Sequence, residues 1–103
     1  MEPATKATNE MFMETARQIC ADWVNENIPK AYEDELDLTR DDFYVVWFCK
    51  TLQNWKALVS FDGLRSHGWY FEVTYNGDKN EAYFDAYKKQ DNVCVDLEKF
   101  GYR

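Results

Sequence analysis

Three cysteines and one histidine are the residues of this chain with the most direct capacity for chemistry: Cys20, Cys49, Cys94 and His67. A cysteine nucleophile needs a base beside it, so the fold would have to bring one of these distant thiols to the loop that holds His67. Cys49 and Cys94 fall in strand-like stretches, and Cys20 lies on the apolar side of a predicted helix. Free cysteines in such positions usually pack as small apolar residues. We therefore predict no catalytic residues.

A metal site built from the same four residues is the second chemistry to consider. Structural zinc sites use close ligand pairs, and the sequence contains no CxxC or comparable pair. It also contains no glycine-rich phosphate loop, nucleophile elbow or metalloprotease helix signature. With four glycines there is little material for a backbone phosphate cradle. We predict that the chain is not an enzyme and binds neither a metal nor a cofactor.

The charge of the chain limits its partners. Twelve basic and 19 acidic residues give a net charge of −7, which opposes binding to phosphate backbones and favours basic partners. An odd, widely spaced set of cysteines is typical of a reducing compartment. No apolar run has the length of a membrane span, and the first residues lack a signal peptide's hydrophobic region. We expect a cytoplasmic protein that binds no nucleic acid directly and no membrane.

Hydrophobic periodicity predicts a single α+β domain over residues 1–103. Apolar residues at spacings of three and four predict an amphipathic helix, and β-branched and aromatic residues broken by turn signals predict four strands. The simplest arrangement packs the helix on a four-stranded antiparallel meander, with a fifth strand as an alternative. The predicted parts are a flexible leader (1–8), the helix (9–27), an acidic loop (30–42), the sheet (43–95, with strands near 43–50, 54–61, 69–75 and 80–88) and a tail (96–103).

The stretch "YVVWFCKTLQNWKALVSF", residues 44–61, carries large apolar side chains on both parities, so both faces of its strands need partners. With a turn at Leu52-Gln53, the helix side is predicted to hold Tyr44, Val46 and Phe48. A two-residue type I′ turn at Asn76-Gly77 places Tyr70 opposite Tyr83 and Glu72 opposite Glu81. Amphipathic aromatics among charges are typical of interfaces. The face away from the helix is therefore a predicted partner-binding surface that includes Trp47, Leu58, Tyr70, Glu72, Glu81 and Tyr83.

Other arrangements could cover that face. The segment "NVCVDLEKFGYR", residues 92–103, could fold back as a fifth strand or a lid and bury Trp47, or two copies could form a homodimer through the face. Glu72 and Glu81 as neighbours would repel each other unless Lys79 or Lys56, or a ligand, relieved the repulsion. From the residues alone these alternatives stay open.

The stretch "KAYEDELDLTRDD", residues 30–42, has a local net charge of −4. A run of this kind is often only a solvated loop. Spaced carboxylates can also imitate a phosphate track and occupy a basic nucleic-acid groove. The second set of candidate partner-binding residues is therefore Glu33, Asp34, Glu35, Asp37, Asp41 and Asp42.

Two stretches, "YVVWFCKTLQNWKALVS" (44–60) and "WYFEVTYNGDKNEAYFDAYKKQDNVCV" (69–95), resemble a family of small uncharacterised proteins encoded by phages and prophages of Gram-positive bacteria, a domain of unknown function. The resemblance covers about half of the chain and extends more weakly to the opening helix. It implies a genomic setting and transfers no catalytic or binding residue.

Small acidic phage proteins without catalytic motifs often bind a host protein. The leading hypothesis is therefore a non-enzymatic inhibitor of a host defence system, of the anti-CRISPR or anti-restriction type, that acts on the basic surface of a nucleic-acid-handling protein. One alternative is a protein that binds or sequesters a nucleotide in an aromatic pocket. Another is a phage assembly component.

Overall fold

Residues 8–63 and 65–102 are described by a computed structural model. Helix α1 (Asn9–Asn27) lies on one face of an antiparallel sheet with the strand order β1-β2-β3-β4. The strands are β1 (Phe43–Thr51), β2 (Asn54–Phe61), β3 (Trp69–Asn76) and β4 (Glu81–Lys88). Two short 3-10 turns, Arg40–Asp42 and Leu97–Phe100, precede and follow the sheet. The predicted α+β class, a helix on a four-stranded meander, is confirmed. The predicted leader, except Thr8, lies outside the described residues.

Local sequence explains both ends of α1. The Thr8 hydroxyl accepts a hydrogen bond from the Met11 amide at 3.2 Å, and Glu10 lies in the first turn near the positive end of the helix. Ile28 leaves the helical conformation directly before Pro29, as expected because a proline disfavours helical backbone in the residue before it. No helix within residues 8–63 and 65–102 has the length and apolarity needed to cross a membrane.

The core lies between α1 and the inner side of the sheet. Helix α1 contributes small side chains, which let it approach the strands closely, and Trp23, whose ring centroid lies 5.7 Å from that of Phe71 and 5.5 Å from that of Phe84. The helix packs most closely on β1 and β2. Ala82 and Ala86 lie on the side of β4 that faces the helix layer, and they remain exposed. The buried core residues are Ala16, Cys20, Ala21, Val24, Phe43, Trp55, Ala57, Val59, Phe61, Phe71 and Val73.

A β-bulge in β1 corrects the predicted faces of that strand. Val45 pairs with Val59 and Trp47 pairs with Leu58, so Val46 is the extra residue between them. Because a bulge reverses the parity that follows it, Val45 and Phe48 both face the core. The prediction that Tyr44 and Val46 lie in the core was therefore wrong: these side chains are 45% and 56% exposed.

The β3–β4 hairpin has a four-residue loop instead of the predicted two-residue turn. Asn76 pairs with Glu81, and its side-chain oxygen accepts hydrogen bonds from the amides of Asp78 (3.0 Å) and Lys79 (3.3 Å). Gly77 is required for another reason than turn conformation, because a Cβ there would lie 2.1 Å from the carbonyl oxygen of Gln53. The predicted register was therefore wrong by four residues.

The even size of that error preserves which side chains share a face but changes their neighbours. Tyr70 lies opposite Tyr87, and Glu72 lies opposite Asp85. The predicted pairs of Tyr70 with Tyr83 and of Glu72 with Glu81 do not form. The sheet also ends at Lys88 rather than at residue 95, and no fifth strand is present in the described chain.

Candidate protein-interaction surface

The face of the sheet opposite α1, called the outer face below, combines aromatic and charged side chains. Register places them in rows across the strands: Trp47, Leu58, Glu72 and Asp85 form one row. The outer face includes Tyr44, Trp47, Cys49, Lys56, Leu58, Ser60, Tyr70, Glu72, Thr74, Glu81, Tyr83, Asp85 and Tyr87.

Five aromatic side chains on the outer face are open to solvent. Trp47 and Tyr83 are each 52% exposed, Tyr44 45%, Tyr87 40% and Tyr70 38%. Scattered exposed apolar residues are ordinary, but a contiguous apolar patch on one face marks an interaction site. Tyrosine and tryptophan bring large contact areas at small cost in side-chain entropy. The outer face therefore has the composition of a protein-binding surface.

The tyrosines of the outer face are held in place by one another and by carboxylates. The rings of Tyr70 and Tyr87 stack with centroids 5.2 Å apart and planes inclined by 16°. The Tyr83 hydroxyl donates to the Glu81 carboxylate at 2.6 Å, and this bond raises the pKa of Tyr83. The negative charge of Asp85, and then of Glu72, raises the pKa of Tyr87. At neutral pH Tyr83 and Tyr87 are neutral hydroxyl donors.

The carboxylates of the outer face outnumber its basic groups. Lys56 Nζ lies 3.1 Å from Glu72 Oε1, which is one of the three ways given above to relieve charge at Glu72. The second carboxylate beside Glu72 is Asp85 rather than Glu81. The face therefore keeps a negative balance after its one lysine is paired, which suits a partner that offers basic side chains.

A shallow groove of about 330 Å³ crosses the outer face near the β1–β2 turn. Trp47 and Cys49 lie on β1, and Lys56 lies opposite Cys49 on β2. Its lining residues are Trp47, Cys49, Thr51, Asn54, Trp55, Lys56 and Thr74. A single large side chain from a partner would fill it, as anchor residues do at protein interfaces.

The acidic stretch, residues 30–42, is largely engaged within the chain. Arg65 is buried, and its Nε lies 3.2 Å from Glu35 Oε1 while its two Nη atoms donate to the carbonyls of Ile28 (3.3 Å) and Leu36 (3.4 Å). The other oxygen of Glu35 accepts from the Ala31 amide at 2.6 Å. Glu35 therefore anchors this stretch and is poorly placed to meet a partner.

Three more of the predicted carboxylates have intramolecular contacts. Asp37 pairs with Lys30 at 3.0 Å, Asp41 lies 3.9 Å from Arg17, and Asp42 accepts from the Thr39 amide at 2.8 Å and so caps the first 3-10 turn. Glu33 and Asp34 are exposed. The contacts of Asp37 and Asp41 are at the surface and hold these side chains only weakly.

The two predicted sets of partner-binding residues lie on different sides of the molecule. The Asn25 side chain exchanges two hydrogen bonds with the backbone of Leu38, at 2.8 and 2.9 Å, which holds the acidic stretch beside α1. The outer face lies on the other side of the sheet. The two predicted sets therefore lie on two separate surfaces, and the prediction for the outer face omitted Tyr44 and Tyr87. Tyr87 shares strand parity with Tyr83, and this signal was available in the sequence.

The candidate chemical groups are not brought together. Cys20 is fully buried in the core, whereas Cys49 lies on the outer face and Cys94 follows the sheet. Among residues 8–63 and 65–102, no three histidine, cysteine, aspartate or glutamate side chains are arranged to hold a metal ion. His67 lines an open cavity of about 510 Å³ with Gly68, Lys88, Lys89, Gln90, Asp91 and Asn92.

Burial predicts how the three thiols differ in reactivity. Desolvation raises the pKa of Cys20 from 9.0 to about 12, so its nucleophilic thiolate is scarce and inaccessible. At pH 8 we expect Ellman's reagent to modify two thiols quickly and the third only as fast as the protein unfolds. Rapid modification of all three thiols in the folded protein would contradict the placement of Cys20.

The raised pKa of Cys20 makes the free energy of unfolding depend on pH. Because the pKa of Cys20 is higher in the folded state, the contribution of the buried thiol to the free energy of unfolding is complete below pH 9. This contribution is lost as the pH rises from 9 toward 12. The loss is roughly 1.4 kcal/mol per pH unit in that range. Urea unfolding of the wild type and of Cys20→Ala at pH 8 and pH 10 tests it. The difference in free energy of unfolding between the two proteins should shrink at pH 10.

Comparison with known proteins places the chain in a family. A family of unknown function, DUF6275, matches residues 13–97. The chain belongs to the DUF6275 family. The match includes α1 from residue 13 onward, the acidic stretch and all four strands, which is more of the chain than the half on which the resemblance was based. No curated protein and no solved structure gives a significant match. Family membership supplies no function, so the function must be argued from the surfaces.

Proposed function

We propose that this DUF6275 protein is a non-enzymatic accessory protein that binds another protein through its outer face. The observation that supports the proposal is the set of five exposed aromatic side chains on a sheet face that no other element of the described chain covers. A stable interface typically needs a central group of aromatic anchors with a polar rim. Here Trp47 and Tyr70 would be anchors, and Glu81 and Asp85 would lie in the rim.

The proposed partner is a cytoplasmic host protein with a basic, nucleic-acid-handling surface. The negative balance of the outer face and the net charge of −7 support a basic partner. The resemblance to phage and prophage proteins suggests the setting, in which the protein would inhibit a host defence system of the anti-CRISPR or anti-restriction type. Covering a basic groove would block access of nucleic acid to it.

The acidic stretch is the weaker candidate for the contact. Glu35 is committed to buried Arg65 and Asp42 to a helical cap. A partner would have to compete with these internal contacts, whereas the outer-face aromatics need no rearrangement to be reached. We therefore assign the main contact to the outer face.

The first test is capture from a nuclease-treated Gram-positive host lysate with immobilised wild-type protein, followed by affinity measurement with the purified partner. We expect Trp47→Ala/Tyr70→Ala to weaken binding by about thirtyfold or more, since interface anchors typically contribute about 2 kcal/mol or more. Both side chains are substantially exposed in the free protein, so the free energy of unfolding should change by less than about 1 kcal/mol.

The matched control replaces an aromatic and an aliphatic residue that are exposed in the acidic stretch, Tyr32→Ala/Leu36→Ala. These side chains are 64% and 84% exposed. The control should bind like the wild type. If the control loses binding and the outer-face variant does not, the acidic stretch is the contact and the proposal is wrong. Binding that disappears with nuclease treatment would also contradict it, because the contact would then run through nucleic acid.

A further inference from the structure

Residues 89–102, called the arm below, form an ordered segment without a packing partner in the described chain. All of these residues are exposed, including five apolar ones: Val93 67%, Val95 55%, Leu97 53%, Phe100 68% and Tyr102 63%. Their clustering in one short segment is unusual because most chains bury such residues or dock them.

The arm has defined local structure despite its exposure. The Asp96 side chain accepts from the Glu98 amide at 3.0 Å and caps the turn Leu97–Phe100. Gly101 adopts a left-handed conformation, and the Tyr102 amide donates to the Leu97 carbonyl at 3.2 Å, which closes the turn. This capped turn displays Leu97 and Phe100 to solvent. The arm is therefore built to present apolar groups.

The stretch before this turn has the pattern of an unpaired strand. Val93, Val95 and Leu97 alternate with Asn92, Cys94 and Asp96, which is the period of a half-buried strand. No backbone N–H from Val93 to Leu97 donates to any residue in ranges 8–63 and 65–102. The arm thus has a strand's side-chain pattern and free backbone donors.

Strand β4 has a free edge that could receive such a strand. It is the edge of the sheet, so one row of its backbone groups has no strand beside it in the described chain. Its helix side is also incompletely covered: Ala82 and Ala86 are exposed there and Phe84 is only partly buried beneath Trp23. An added strand with apolar side chains on that side would extend both the sheet and the core.

The arm does not reach this edge in its own chain. The Lys89 amide donates to the Gly68 carbonyl at 2.6 Å, which continues the β3–β4 ladder past Lys88, and beyond Lys89 the described arm pairs with no strand. The radius of gyration of 17.2 Å exceeds the roughly 13 Å of a compact domain of this length.

We propose that two copies exchange their arms: the arm of each adds as a fifth strand to the free edge of β4 in the other. Val93 and Val95 lie over the helix side of that strand, near Ala82 and Ala86. Exchange of identical elements is a low-cost route to dimers with two-fold symmetry. The outer face stays open in this dimer, so the inference is independent of the proposed function.

Charge favours the arm over a face-to-face contact between copies. Residues 89–103 contain three basic and three acidic residues, so the remainder of the chain carries the whole net charge of −7. Two outer faces brought together would oppose like charges, which is costly. The arm together with Arg103 is neutral and avoids this repulsion. Two exchanged arms with their receiving strands engage about twenty residues on each side, which is the size of a standard interface.

Light scattering coupled to size-exclusion chromatography of the full chain, at tens of micromolar, tests the exchange. We expect the wild type to be dimeric and Val93→Asp/Val95→Asp to be monomeric, with dimer dissociation at least tenfold more favourable. The matched control is Gln90→Asp/Asn92→Asp, which adds the same charge to the polar side of the same arm and should stay dimeric. A monomeric wild type, or equal dimerisation of both variants, would overturn the proposal.

A second measurement separates exchange from folding back. In a mixed dimer of isotope-labelled and unlabelled chains, we expect nuclear Overhauser contacts between the valine methyls of one chain and the Ala82 or Ala86 methyl of the other. If such contacts occur only within one chain, the arm covers its own sheet and the exchange is excluded. A circular dichroism spectrum shared by all variants would show that the substitutions leave the domain folded.

Discussion

Replacing Arg65 by methionine should lower the free energy of unfolding by about 2–3 kcal/mol, measured by urea denaturation. The Arg65 side chain is 2% exposed and contacts Glu35, whose side chain is 22% exposed. Breaking a fully buried ion pair costs about 3–5 kcal/mol because the remaining charge is left uncompensated. The partial exposure of Glu35 reduces this figure, and methionine retains most of the buried apolar contact.

Replacing the exposed Arg40 by methionine provides the control. Arg40 lies 3.8 Å from Glu14, but its side chain is 48% exposed. Arg40→Met should change stability by less than about 0.5 kcal/mol, as expected for a surface pair. Equal effects at the two positions would mean that the Arg65 guanidinium is not buried against Glu35. Glu35→Gln in the Arg65→Met background should cost less than in the wild type, because the two side chains act as one unit.

Loss of Arg65 should disturb the acidic stretch and leave the outer face unchanged. Arg65 also donates to the carbonyls of Ile28 and Leu36, so it ties the end of α1 and the middle of the acidic stretch to the loop between β2 and β3. Without it, amide hydrogen exchange should increase in residues 30–38 before it increases in the strands. Binding through the outer face should be retained when the folded protein is in excess. A large loss of binding at full folding would assign a contact to the acidic stretch.

Sequence periodicity was sufficient to predict the helix layer and the sheet layer of this fold. The spacing of Ala16, Cys20 and Val24 identifies the buried side of α1, and the alternation of Phe71 and Val73 with polar residues identifies that of β3. These patterns repeat over several turns or residues, so one exception does not obscure them. The outer-face positions of Trp47, Leu58 and Tyr70 followed from the same alternation.

Register depended on details that periodicity does not contain. Asn76-Gly77 is a strong signal for a two-residue turn, yet Asn76 uses its side chain to cap a wider loop, and Gly77 is needed where the loop passes Gln53. The second fact is a tertiary contact between two hairpin turns. It cannot be read from either turn alone.

The bulge and the buried arginine were hidden for a related reason. In "YVVWF" every residue suits a strand, so nothing local marks Val46 as the extra one. Arg65 lies in a glycine-containing loop where nothing local marks it for burial, and the approach of the acidic stretch makes it a buried partner. Contacts between segments far apart in sequence decided both, and such contacts override local preference.

Replacing Trp55 by alanine should have the largest effect of any substitution considered, a loss of about 3–5 kcal/mol in the free energy of unfolding. Trp55 is 3% exposed, and its ring lies 5.3 Å from that of Phe12, 5.6 Å from Tyr75 and 5.9 Å from Phe48. Alanine would leave a cavity at the junction of α1 and three strands. Trp47→Ala, on the exposed side of the same strand pair, should cost less than about 1 kcal/mol and serves as control.

The Trp55→Phe substitution separates the effect of the buried ring on stability from the effect of the indole N–H. The Trp55 Nε1 is buried, and no acceptor within the described ranges bonds to it. Leaving such a donor unpaired costs about 1–3 kcal/mol, whereas the smaller ring of phenylalanine loses a comparable amount of buried apolar contact. The two changes oppose each other, so Trp55→Phe should alter the free energy of unfolding by no more than about 1 kcal/mol, followed by circular dichroism because the substitution removes a fluorophore. A cost close to that of Trp55→Ala would mean that the indole N–H has a partner, and that it contributes to stability instead of opposing it.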